Sequence, residues 1–341
     1  MSARVRWLLV TAVAVIALGA SAVVAWFAWQ QFEQRQSAPS AVETADAAAG
    51  WDVGDRVVFR NTASGQGYGH VASVPLDDPQ GSRSLTDVVC DRVDAVDDEF
   101  ACLRTDRGIA TTFEAVIYDN EQSPTDRWPL PGVPSRTRIS SDGELIATTS
   151  FVTGHSYATI GFSTETVIRT REGESLGNLE EFTFIRDGAV STAADRNFWG
   201  VTFVDDTTFY ATVGLTLEGT TQLVKGDLDE RTLTTVADDV ECPSLSPDGT
   251  RIAFKKVTSG SGPTVHWTPA IMDLKTGEVQ LLPEERSIDD QIEWLDDDTI
   301  LYGMPREGVP GDTDVWSLSA DGSGAAQVFI EHAWSPSVVR D

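Results

Sequence analysis

The chain has 341 residues and carries 53 Asp and Glu against 25 Lys and Arg, a formal net charge of −28. A field of that sign repels nucleic acid and anionic lipid surfaces, so no nucleic-acid function is expected. The acids are spread through short turns, Asp77-Asp78, Asp97-Asp98, Asp205-Asp206 and Asp296-Asp297-Asp298, as on a solvated surface rather than in one acidic tail.

Residues 1–6, with Arg4 and Arg6, form a short cytoplasmic stub. From Trp7 to Trp29 the sequence WLLVTAVAVIALGASAVVAWFAW carries no charge. At about 1.5 Å per helical residue it is long enough to cross a hydrocarbon core of roughly 30 Å. A cleaved signal peptide is the alternative, but its apolar region usually runs about 7–15 residues, and this one is longer and ends in an interfacial Trp-Phe-Ala-Trp. The arginines that precede the helix predict a single-pass anchor in the cell membrane, with the N-terminus cytoplasmic and the C-terminal domain extracytoplasmic. Residues 30–50 lack large apolar side chains over most of their length and read as a flexible linker. The folded domain is expected over 51–341.

Within that domain one phrase recurs: an apolar strand, an Asp- and Gly-rich turn, then a second strand with alternating apolar residues. Its clearest copy is PSLSPDGTRIAFK at Pro243 to Lys255, where Pro247 presets φ for a type I turn and Gly249 can take the positive φ that follows. Related copies are VDAVDDEFACL from Val93, RISSDGELIATT from Arg138, VTFVDDTTFYATV from Val201 and IEWLDDDTILYG from Ile292. Four of the five hairpins are followed by recognisable third and fourth strands. The result is an all-β fold, a six-bladed β-propeller with blades at 52–88, 89–132, 133–188, 197–239, 240–287 and 288–331. DRVVFRN in the first blade resembles a second strand with no inner strand before it. The tail HAWSPSVV, from His332 to Val339, is expected to supply that strand and close the ring.

LSPDGTRIAF, together with GHSYATIGFST, SLGNLEEF, NFWGVTFVDDTTFYAT and IEWLDDDTILYGMP, resembles the TolB-like propellers, a WD-like repeat family of bacterial envelope proteins, and in particular actinobacterial membrane-anchored members. The resemblance covers 51–341. It implies a six-bladed propeller used for protein association in the envelope. A monomeric propeller is expected, with an envelope protein or other extracytoplasmic ligand as partner.

No catalytic motif accompanies this architecture. The four histidines, His70, His155, His266 and His332, have no metal-ligand spacing, and Gly161-Phe162-Ser163-Thr164-Glu165 breaks the nucleophile-elbow pattern at its last position. No cofactor is expected. Calcium at an Asp-rich loop is the alternative, since hard oxygen ligands are plentiful, but no EF-hand spacing supports it. The expectation is therefore a binding scaffold rather than an enzyme. The alternative is a glycan- or peptide-active enzyme using carboxylates near the channel mouth, among them Asp289, Asp290 and Glu241. Candidate partner-binding residues are His155, Tyr157, Asn197, Trp199, Arg138 and Glu241, which combine hydrogen-bonding or aromatic character with loops or starts of inner strands. Of the three cysteines, Cys90 and Cys102 flank the turn at Asp97-Asp98 and are expected to bridge, the other possibility being free buried thiols; Cys242 has no local partner.

Overall fold

The computed structural model describes residues 3–46, 54–108, 110–152 and 163–340. They divide into two compact units, one formed by Met1–Ala41 with Ala63–Tyr68 and the other by Val42–Thr62 with Gly69–Asp341. The first unit contains a helix, Ala3–Ser37. Its segment Arg4–Gln30 is long and apolar enough to cross a membrane. The helix runs eight residues beyond the expected span end at Trp29, so the first part of the presumed linker is helical.

The second unit is a six-bladed β-propeller. Blade 1 runs from its inner strand Ala333–Val339 through Arg56–Asn61, His70–Pro75 and Arg83–Val89. Blade 2 is Arg92–Val96, Glu99–Arg107, Thr111–Asp119 and Pro124–Leu130. Blade 3 is Val133–Ile139, Leu145–Val152, Ser163–Thr170 and Ser175–Asn178. Blade 4 is Arg196–Phe203, Thr208–Leu215, Thr220–Asp227 and Thr232–Asp238. Blade 5 is Glu241–Leu245, Arg251–Ser259, His266–Asp273 and Val279–Leu281, and blade 6 is Glu293–Asp296, Thr299–Pro305, Thr313–Ser319 and Gln327–Ile330. The C-terminal strand pairs antiparallel with Arg56–Asn61, Arg56 opposite Val339 and Asn61 opposite Ala333, and so closes the ring as expected.

Alternation along the strands explains the stacking of blades. Side chains one residue apart point to opposite faces of a sheet, so each blade presents one apolar set to each neighbour. Val57 and Phe59 pack toward blade 6 with Leu301 and Val315, whereas Val58 packs toward blade 2 with Val93 and Phe100. In blade 2, Phe100 and Cys102 face blade 1, while Ala101 and Leu103 face blade 3 with Trp128 and Ile146. In blade 5, Ile252 and Phe254 face blade 4 while Ala253 faces blade 6. Each contact between blades thus has its own apolar layer.

The hairpin turns are built by side-chain chemistry. The Ser246 hydroxyl donates to Asp248 Oδ1 at 2.6 Å, that oxygen accepts the Thr250 N–H at 2.9 Å, and Gly249 takes φ +69°. Ser140, Asp142 and Gly143 repeat the arrangement in blade 3. The Cys90–Cys102 disulfide is present, with the Cα atoms 5.4 Å apart, and it clips the blade 1–2 crossover to the second strand of blade 2. Cys242 is free and buried.

Two stretches depart from expectation. Thr44–Asp46, assigned to a flexible linker, pairs in parallel with Arg83–Leu85 on the outer edge of blade 1; an unpaired sheet edge offers backbone partners even to a polar segment. Thr183–Arg186, assigned to blade 3, instead pairs in parallel with Thr232–Thr234 at the outer edge of blade 4. Phe184 explains the switch: its ring meets Phe198 of blade 4 edge-on, 6.0 Å between centroids, inside the layer between blades 3 and 4.

The central channel as candidate functional site

Six inner strands converge on the axis, and at the end where they enter their hairpins they line a cavity of about 370 Å³. One side chain from each strand occupies a matching position on its wall: Asp94, Arg138, Thr202, Ser244, Glu293 and Ser337. In the sequence these lie four residues before Asp98, Asp142, Asp206, Asp248, Asp297 and Asp341, so the repeat's register sets the ring.

Neighbouring inner strands are stitched together through this ring. Ser337 Oγ accepts the Ala95 N–H at 2.9 Å, Thr202 Oγ1 accepts that of Leu245 at 3.1 Å, and Glu293 Oε1 accepts that of Val338 at 3.3 Å. Arg138 departs from the pattern because a guanidinium has no acceptor. It reaches across the axis, donating to Glu293 Oε2, to Asp94 Oδ1 at 3.4 Å and to the Ile292 carbonyl at 3.1 Å. Burial opposes its charge, yet Glu293 and Asp94 together hold its pKa above the ordinary value. Burial pushes the Asp94 carboxyl up to about 7 against the pull of Arg138, with Glu293 pushing in the same direction as burial.

A second set of charges surrounds the beginnings of the inner strands. Arg92 donates to Asp290 at 2.8 Å, and Asp290, fully buried, also accepts the Gly303 N–H at 3.0 Å. Lys255 donates to Asp289 at 2.7 Å and lies over the Trp267 ring, 4.5 Å from its centroid. Glu241, opposite Lys255 in the strand pairing, has its pKa raised by burial against the pull of that lysine.

The candidates read from sequence do not form one site. Arg138 sits on the cavity wall and Glu241 near the opposite end of the channel. Asn197 lies in a separate crevice of about 510 Å³ between blades 3 and 4. There its Oδ1 accepts the Thr164 N–H at 3.0 Å while its Nδ2 donates to the Asp195 carbonyl at 3.2 Å. Glu180 shares that crevice, its carboxyl pushed up to about 8 by burial despite the Phe198 N–H and Arg196 beside it. Trp199 packs on the facing strand, where a Cβ at Gly214 would fall 2.5 Å from its ring. His155 and Tyr157 lie outside the described residues. Asp94, Glu293 and Lys255 were missed as candidates; the fixed four-residue offset from the turn aspartates is the signal that finds the first two.

A closed six-bladed ring of four-stranded blades with a charged axial channel defines the class: a β-propeller whose last strand completes its first blade. Comparison with known proteins places the fold more closely. No family model and no curated protein matches the sequence. Among solved structures, TolB from Acinetobacter baumannii matches with TM-score 0.56 and 15% identity, over 84% of this chain and 67% of that one. A puromycin-hydrolyzing peptidase of Mycobacterium tuberculosis matches with TM-score 0.50 and 12% identity, over 87% of this chain but 48% of that one, so this chain spans about half its length. Oligogalacturonate lyase from Vibrio parahaemolyticus matches at TM-score 0.48 and 10% identity, over 73% of this chain and 71% of that one. At these identities the likeness is one of fold: the chain is a TolB-like β-propeller in architecture.

Proposed function

We propose that this protein is a membrane-tethered scaffold that holds an extracytoplasmic protein of the cell envelope at the hairpin end of its channel. The observation that carries the reading is the 370 Å³ cavity to which all six inner strands contribute. A rigid concave surface with a few fixed polar groups suits recognition of a partner's protruding segment. The apolar helix supports the tether, with Arg4 and Arg6 on its cytoplasmic side. The Cys90–Cys102 disulfide supports an oxidising compartment.

The channel carboxylates favour this reading over hydrolysis. Asp94 and Glu293 face Arg138, and Asp290 faces Arg92. Carboxylates engaged by fixed cations build a stiff lattice rather than a free acid and base flanking a substrate bond. The test is in-cell photo-crosslinking from Ser141, an exposed residue on the cavity rim, with exposed Leu217, which is not among the cavity-lining residues, as control. Capture of one envelope protein from Ser141 and not from Leu217 supports the proposal. Equal capture from both positions, or none from Ser141, refutes it.

A further inference from the structure

We infer that the other end of the channel, around Arg136, Lys255 and Asp289, is an acceptor site for a ligand carboxylate, occupied in this structure by the protein's own Asp289 side chain. Two buried cations converge there on one exposed carboxylate. Arg136 lies two residues before Arg138 on the inner strand of blade 3, with its side chain 10% exposed, and Lys255 on blade 5 is 3% exposed. Buried cations need close acceptors, because an unpaired charge in a low-dielectric interior is strongly disfavoured.

The two cations share a small set of acceptors. Asp290 is engaged by Arg92 and by the Gly303 N–H. Glu241 lies opposite Lys255 in the strand pairing and is itself buried. Asp289 is the carboxylate in direct reach of both, at 2.7 Å from Lys255 and 3.7 Å from Arg136. Around Arg136, Nη1 donates to the Ser135 carbonyl at 2.9 Å and Nη2 to the Asp289 carbonyl at 3.4 Å, and against the burial that opposes it the charge is favoured by Cys242, Asp290 and Asp289.

Asp289 also has the character of a replaceable occupant. Its side chain is 69% exposed although both cations it serves are buried, so the carboxylate reaches in from the surface. A planar carboxylate from outside can take the same position and approach the guanidinium closely, in the two-point geometry that arginine favours. The Trp267 ring under Lys255 gives that ligand an aromatic neighbour. The ligand class is a compound with an accessible carboxylate, from a polypeptide C-terminus or an acidic sugar.

The test uses the full-length protein in detergent. Asp289→Ala vacates the position. The variant is expected to melt below wild type in sodium chloride and to recover in sodium acetate of equal ionic strength. N-acetyl-trialanine should bind Asp289→Ala about tenfold more tightly than wild type, since the internal competitor is gone, and the corresponding C-terminal amide should bind neither. Replacing Lys255 by Met in the same background should abolish both effects. Glucuronate binding the alanine variant better than the peptide acid would assign the carboxylate to a sugar, and the reverse to a polypeptide end. Stronger binding of inorganic phosphate than of acetate, or no acetate dependence beyond chloride, overturns the proposal. Asp289→Asn, which keeps the shape and loses the charge, gives the same comparison if the alanine variant fails to fold. Neither Asp289 nor Lys255 lines the hairpin-end cavity, so failure here leaves the scaffold reading standing.

Discussion

The carboxylate of Asp94 accepts the main-chain N–H of Ile139 at 2.6 Å, which ties the inner strand of blade 2 to that of blade 3. Ile139 directly follows Arg138, the ring residue of its own strand, and the same step of one residue recurs from Thr202 to Leu245, Glu293 to Val338 and Ser337 to Ala95. The axis is held by a repeated side-chain-to-backbone link, with Arg138 as the ring member that pairs with acids instead.

Removing that arginine should be costly. Arg138→Met leaves Asp94 and Glu293 buried without their common counter-charge, and breaking one side of a buried ion cluster costs about 3–5 kcal/mol. Urea unfolding of Arg138→Met should show this loss, and adding Glu293→Gln to that background should recover part of it. An unchanged midpoint would mean that the pair of acids does not depend on the guanidinium.

Stability should rise as the pH is lowered from about 8 to about 5. Asp94 and Glu99 are raised to about 7 and Glu180 to about 8, chiefly by burial. The folded protein therefore binds more protons than the unfolded chain between the ordinary carboxylate range and these values, and the slope of stability with pH is negative there. Asp248 and Asp321, lowered to about 2 by turn hydroxyls and N–H groups, act oppositely and only in more acid solution. Thermal melts across pH 5 to 8 test the sign, and Glu180→Gln should flatten the upper part of the curve because its amide oxygen can still accept the Phe198 N–H.

The disulfide should contribute measurably. It closes a loop with a sequence separation of 12. The chain-entropy account assigns about 2–3 kcal/mol to a loop of this length. Replacing Cys90 and Cys102 by Ala together should lower the denaturation midpoint accordingly. Reductant should then no longer affect the variant, and a reductant effect that persisted would implicate another bond.

Deleting residues 333–341 should be more damaging than any of these changes. It removes the inner strand of blade 1, including buried Ala333 and Val339, together with the Ser337 links to blade 2. The expected loss is at least about 4 kcal/mol, a large share of a typical domain's stability. A synthetic peptide of residues 332–341 should restore part of it; a truncated protein that melts like the full chain would refute the closure.

The parts legible in sequence were those encoded locally. Ser246-Pro247-Asp248-Gly249 states its turn in four residues, and the missing partner for DRVVFRN pointed to the tail that supplies it. The cysteine pair was legible because one hairpin brings the two residues together. The channel was not, since its contacts are long-range: Arg138 and Glu293 are 155 residues apart, and Lys255 and Asp289 are 34 apart across two blades. The crossing of Thr183–Arg186 to blade 4 was hidden for a related reason. A short strand with two apolar residues fits either edge, and Phe184 packing on Phe198 decides between them.

The shared first blade also orders the events of synthesis. Its three outer strands leave the ribosome early, but the strand at its heart, Ala333–Val339, follows every other described strand in chain order. Until then Val57, Phe59 and Arg56 present an unpaired edge, and the nascent ring is an open arc with adhesive ends. The ring can therefore close only after the other strands of all six blades have been made, and any cellular factor that shields nascent sheet edges has its longest task on this chain's first blade.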